Sequence, residues 1–168
     1  MSFALLKKSI ADAVTLETAE ARNKTMTLFN KEIDRHKKCA AAIGAGVYFS
    51  ESFNALMKAY FQPLNISEHK YGAEIFERTG ISDKVYRTIR NGGADYCPSY
   101  RTVVALCAGL GLDITLAESL LQKGGRAFSN SDEHMAFKLI LTAYRGCGIT
   151  RQNDCLEILG YGRLTDDK

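Results

Sequence analysis

The stretch Ala73-Glu74-Ile75-Phe76-Glu77-Arg78-Thr79-Gly80-Ile81-Ser82-Asp83-Lys84-Val85-Tyr86-Arg87-Thr88-Ile89-Arg90-Asn91-Gly92 decides how this chain is read. A helix is expected to end at Gly80, because glycine takes the positive φ that a tight turn between two crossing helices requires. Ile81 is the expected plug of the corner between those helices. Ser82 is the expected N-cap of a second helix, and Asp83 puts an anion in its first turn, where the helix dipole favours one. On that helix Val85, Tyr86 and Ile89 recur at i and i+3/i+4 and are expected to face inward. Ser82, Asp83, Lys84, Arg87, Thr88 and Asn91 are expected to face outward.

Helical signals continue on both sides of this stretch. From Phe3 to Ile43 there is neither Pro nor Gly. Phe3, Leu6, Ile10, Ala13 and Val14 follow helical spacing, and a second stripe runs through Met26, Phe29, Ile33, His36, Ala40 and Ile43. The pattern blurs around Thr18 to Lys24, so the segment reads either as two helices or as one long helix with a register shift. Its narrow stripe must bury against something, either the rest of the chain or a second copy of itself. Gly44-Ala45-Gly46 ends it. Ser50 is the expected cap of a helix through Phe53, Leu56, Met57, Tyr60 and Phe61, with Pro63 past its end. Ser67 is expected to open the next helix, with Glu68 in its first turn. Beyond Tyr96, Ser99 is expected to cap Val103, Val104, Leu106 and Cys107. Thr115 is the expected cap of Ala117, Leu120 and Leu121, and Ser131-Asp132 opens a run from Met135 to Tyr144. Thr150 is the expected cap of the last helix, through Leu156 and Leu159. No two-residue alternation bounded by hairpin turns occurs. The reading is an all-α chain of about eight helices in three parts: an N-terminal helical segment (1–46), a central domain (50–125) and a C-terminal helical extension (129–168).

Composition narrows the function classes. Apolar residues make up 46% and charged residues 24%, as in an ordinary globular protein. No run approaches the roughly 20 consecutive apolar residues that span a bilayer. Lys7 and Lys8 are followed by Ser9-Ile10-Ala11-Asp12, which interrupts any signal-peptide core. No membrane association and a cytoplasmic location are therefore expected. The five cysteines lack a C-x-x-C pair, so no metal site is expected, and in a reducing compartment each reads as a small buried hydrophobe. The net charge of +3 permits nucleic-acid binding without arguing for it.

Other candidate motifs fall away on inspection. Ala42-Ile43-Gly44-Ala45-Gly46-Val47 resembles a dinucleotide-binding fingerprint, but a helical, charge-rich segment precedes it and the third Gly is missing. It reads as a helix C-terminus and turn. His69 and His134 lack surrounding metal ligands. Asp132-Glu133-His134 reads as an acidic helix start. No Ser-His-Asp order, nucleophile elbow or phosphate loop occurs, so no catalytic residue and no cofactor are expected.

The order of parts from Ala73 to Gly92 resembles the helix-turn-helix of the lambda-repressor-like family, also called the xenobiotic-response-element type. Members show a helix, a Gly, a hydrophobic residue, a Ser, and a recognition helix closing on an Asn-Gly pair. Arg101-Thr102-Val103-Val104-Ala105-Leu106-Cys107-Ala108-Gly109-Leu110-Gly111-Leu112 reads like the family's fourth helix, and Thr115 to Gly124 resembles its fifth. Ser52 to Phe61 corresponds to its first. The pair of helices ending Asn153 to Leu164 looks like an extension found in some bacterial members. The resemblance covers about half of the chain and lies in the order of its parts. Phe76 stands where the family usually has a small Ala, Thr79 replaces the usual hydrophobe, and Gly72 or Ala73 replaces a phosphate-contacting Gln. The loop Gly92 to Cys97 is also longer than average.

What the resemblance implies is a lambda-repressor-like bundle with a long N-terminal helical extension and a C-terminal helix pair, acting as a DNA-binding transcriptional regulator. The expected partners are double-stranded DNA and a second copy of the chain, with a protein partner as the competing reading. Lys84 and Arg87 suit guanine acceptors in the major groove. Thr88 and Asn91 suit a base or a phosphate, and Arg90 a phosphate from the helix end. Ser82 and Asp83 lie at the start of the same helix. Ser99, Tyr100 and Arg101 are expected to hold the backbone by hydroxyl, amide and charge. Asp83 also stands four positions before Arg87, the spacing of an ion pair.

Overall fold

The computed structural model describes residues 3–165, with side chains described from Ala19 onward. The stripe Phe3, Leu6, Ile10, Ala13 and Val14 lies outside the described side chains. The chain divides into two units, Met1–Lys37 and Lys38–Lys168. Among the described residues there are eight α-helices and no strand.

Of the two readings that the blurred pattern around Thr18 to Lys24 allows, the structure has the single long helix, α1 (Phe3–Ala45). Within the first unit, Met26, Leu28 and Phe29 stand exposed on it. In the second unit its last turns bury Cys39 and Ile43 in the core. The Gly44-Ala45-Gly46 turn is held by side chains. Lys123 Nζ donates to the Gly44 and Gly46 carbonyls, and Ser52 Oγ donates to the Ile43 carbonyl at 2.9 Å. Those carbonyls are thereby taken by neighbouring helices.

The second unit is completed by α2 (Phe49–Phe61), α3 (Tyr71–Thr79), α4 (Asp83–Arg90), α5 (Tyr100–Leu110), α6 (Ile114–Lys123), α7 (Asp132–Ala143) and α8 (Ile149–Ile158). Helix α5 is its axis: Val103 to Ala108 and Leu110 are buried, and α3, α6, α7 and α8 all pack on it. A helix apolar on nearly every side must be buried this way. Truncating such a residue, Leu106 for instance, costs about 2–5 kcal/mol.

Helix starts follow side-chain chemistry. Ser82, Ser99 and Ser131 each accept a backbone N–H from three residues on. Four expected caps are corrected. Asp113, not Thr115, caps α6, accepting from the Leu116 N–H at 3.1 Å while Thr115 donates its hydroxyl to the same carboxylate. Asp113 holds the cap position while Thr115 already lies within the first turn, and Asp ranks above Thr as a cap. Thr150 lies inside α8, which begins after Gly148 at φ 82°, a conformation that excludes side chains. Ser50 lies inside the first turn of α2, where Glu51 reaches back to accept the Val47 N–H at 2.9 Å. Ser67 precedes only a 3₁₀ turn, Glu68–Lys70, and makes no side-chain cap bond.

Candidate functional site

Helices α3 and α4 are joined by Gly80, Ile81 and Ser82. Gly80 closes α3 at φ 73°, its N–H bonding the Phe76 carbonyl at 2.9 Å. Ile81 is buried in the corner, as its sequence setting implies. Thr79 is fully buried too, and its hydroxyl explains why a polar residue is tolerated. It donates to the Ile75 carbonyl at 2.7 Å and accepts the Ile81 N–H at 3.1 Å, so the turn is pinned from within. On the outside Gly109 of α5 approaches so closely that a Cβ there would meet the Arg78 carbonyl oxygen at 2.3 Å and the Thr79 methyl at 2.6 Å. The crossing of α3 over α5 thus requires Gly at 109.

Helix α4 is anchored by two side chains, Tyr86 and Ile89. Tyr86 meets Phe53 of α2 edge-on, with ring centroids 5.8 Å apart, and burial pushes its phenol up from the ordinary 10.0, partly offset by Arg90. Val85, expected inward, is 37% exposed. The helix is short and touches the core along one narrow stripe, which Val85 misses. Its C-terminus is held by Asn54 of α2, whose amide donates to the Arg90 carbonyl at 3.0 Å.

Every other predicted residue of α4 and its cap faces solvent: Ser82, Asp83, Lys84, Arg87, Thr88, Arg90 and Asn91. Asp83 and Arg87 form the ion pair their spacing suggests, at 2.8 Å. The Thr88 hydroxyl donates to the Lys84 carbonyl at 2.9 Å. Alongside runs a groove of about 780 Å³ between α3 and α4, with Glu68, Phe76, Asp83, Tyr86, Arg87 and Arg90 among the residues that line it. Phe76 is not packed into the crossing; it is 39% exposed and lines this groove, which is where a bulky residue in place of Ala goes.

The other three predicted residues sit at the start of α5 and are engaged with the C-terminal part of the chain. Ser99 caps α5, accepting the Thr102 N–H at 3.2 Å. The Tyr100 hydroxyl donates to the Ala127 carbonyl at 3.0 Å, and its ring packs on His134 and under the Arg126 guanidinium. Arg101 donates to the Gly162 and Arg163 carbonyls at 2.8 and 3.1 Å and pairs with Glu133. Two carbonyls and a carboxylate engage its Nη1 and Nη2, so Arg101 ties α5 to α7 and to the segment after α8 where the sequence suggested a free cationic hand. The exposed cations of the site are those of α4 alone. His134, set aside in the sequence as part of a helix start, turns out to accept the Ser129 N–H through Nδ1 at 2.8 Å and to stack among Tyr100, Phe128 and Phe137. No local motif foretells that packing.

Among the described residues no cluster of three or more potential metal ligands occurs, and no helix is long and apolar enough to cross a membrane. Comparison with family models, with curated proteins and with solved structures finds no match to this chain.

Proposed function

We propose that this chain is a cytoplasmic, sequence-specific DNA-binding transcriptional regulator, with α3, Gly80 to Ser82 and α4 forming a helix-turn-helix of the lambda-repressor-like type. The observation that carries the reading is α4 itself. Eight residues long, it rests on two buried side chains and turns five polar ones, Lys84, Arg87 and Arg90 among them, to solvent. A helix held firmly at its base and polar on its outer face is what reading a major groove requires. The charge of one such face is modest, so affinity rests on two copies of the chain, each neutralising its own phosphates. The exposed Met26 and Phe29 on α1, one turn apart, are the seam through which the two copies pair.

The experiment is selection of bound duplexes from a random pool by the purified chain, followed by binding at several salt concentrations. The reading predicts an enriched sequence with two half-sites about one helical turn apart and an affinity that falls steeply with salt. A pool that emerges unenriched contradicts it. For the pairing, sedimentation of Met26→Asp with Phe29→Asp should give a monomer where the parent gives a dimer.

A second reading, a protein-interaction module that keeps this helical pair without DNA binding, is favoured by the groove between α3 and α4. Phe76 on its wall and Glu68 and Asp83 beside it suit a partner helix better than a phosphate backbone. Recovery of one stoichiometric protein partner, with no duplex bound even at low salt, would establish it.

A further inference from the structure

The end of α3, where the turn to α4 begins, is held by a residue more than eighty positions away. The Thr165 hydroxyl donates to the Thr79 carbonyl at 2.9 Å. The segment that brings Thr165 there is itself fastened at several points. Asn153 of α8, almost fully buried, accepts the Leu164 N–H at 2.9 Å and donates to the Thr165 carbonyl at 3.3 Å. Leu164 is buried in the core between these bonds. Arg101, at the start of α5, holds the Gly162 and Arg163 carbonyls. A side chain on α8 and another on α5 therefore present one hydroxyl to the last carbonyl of α3, immediately before Gly80.

We infer that the segment 161–165 is a strap that positions the turn between α3 and α4, and that Thr165 is its positioning residue. Thr79 is the meeting point. Its own hydroxyl holds the Ile81 N–H, its methyl fills the place that a Cβ on Gly109 would need, and its carbonyl is held by the strap. The carbonyl at a helix end, left without an intrahelical partner, is satisfied here by a distant hydroxyl. The C-terminal helix pair thereby acquires a role, fixing the angle at which α4 leaves α3. Its consequence for duplex binding rests on the reading proposed above; the strap itself does not.

The test uses amide hydrogen exchange on the full chain, comparing the parent with Thr165→Val, which removes the hydroxyl at constant shape, and Thr165→Ser, which restores it. The Ile81 amide is the probe and the Ile140 amide in α7 the reference. One net hydrogen bond corresponds to an exchange increase of about 3- to 10-fold at Ile81 in Thr165→Val. Ile140 is expected to be unchanged, and Thr165→Ser to return Ile81 to within about 2-fold of the parent, given the retained donor. Equal protection of Ile81 in Thr165→Val and the parent overturns the strap. So does an equal loss at Ile140, which would mean general destabilisation. The measurement is made on free protein. A parent that binds no duplex would sink the DNA reading while leaving this result decisive.

Discussion

The Asp83 carboxylate lies 2.8 Å from the Arg87 guanidinium, one turn along α4, and both side chains are more than half exposed. A surface pair at this spacing is worth only about 0.3–0.5 kcal/mol, so Arg87 is held lightly and a phosphate or a guanine edge competes for it. Asp83 nonetheless sets a negative charge on the face assigned to DNA. Asp83→Asn is expected to raise duplex affinity about 3- to 10-fold at low salt and by less at high salt. It should also cost up to about 1 kcal/mol of stability, because an anion leaves the first turn of α4. Titrations at two salt concentrations, with urea melts alongside, read both effects. An unchanged affinity would mean that this face does not meet DNA.

Gly109 and Gly93 offer a matched pair of substitutions. A Cβ at 109 meets backbone atoms of Arg78 at 2.3 and 2.8 Å, and one at 93 meets nothing within 4 Å. Backbone cannot swing aside as a side chain does, so Gly109→Ala must push α3 away from α5. Its expected cost is about 1–3 kcal/mol, with Gly93→Ala close to neutral. Denaturant midpoints of the two variants decide. Comparable midpoints would show that α3 and α5 are not so closely apposed.

Cys107 gives the fold a dependence on alkaline pH. Its thiol is fully buried, and burial, aided by the charge of Asp113, pushes it up from the ordinary 9.0. The folded state therefore keeps the proton that the unfolded chain releases. That contribution is fully present below about pH 9 and is lost as pH rises toward the folded value, at about 1.4 kcal/mol per pH unit. Tyr86, raised from 10.0 chiefly by burial, adds to the loss about one unit higher. Cys107→Ala should start less stable at neutral pH yet lose stability with a shallower slope between about pH 9 and 10. Parallel slopes for parent and variant would contradict the assignment.

Local chemistry was legible in the sequence where it acts alone. The Gly80 turn, the Ile81 plug and the caps at Ser82, Ser99 and Ser131 all depend on residues within a turn of one another. Where two candidates lie close together, as Asp113 and Thr115 do, the cap is the one that stands just outside the first turn, and spacing alone does not display which that is. Thr79 and Arg101 were the harder cases. Thr79 reads as a polar intruder until its hydroxyl is seen to serve both Ile75 and Ile81. Arg101 reads as an exposed cation until the chain sixty residues on folds back to it. Long-range satisfaction of a polar group leaves no periodic trace, and so the strap at 161–165 could not be anticipated.

The proposed role of α4 in reading DNA is decided by the affinity of Lys84→Ala with Arg87→Ala for a duplex selected by the parent. Both side chains are exposed, so the fold should be unaffected, as a thermal melt can verify. Two lost groove contacts at about 1–3 kcal/mol each predict a loss of at least about 30-fold, together with reduced discrimination between selected and unrelated duplexes. Binding as tight as the parent's, with discrimination intact, would contradict the account.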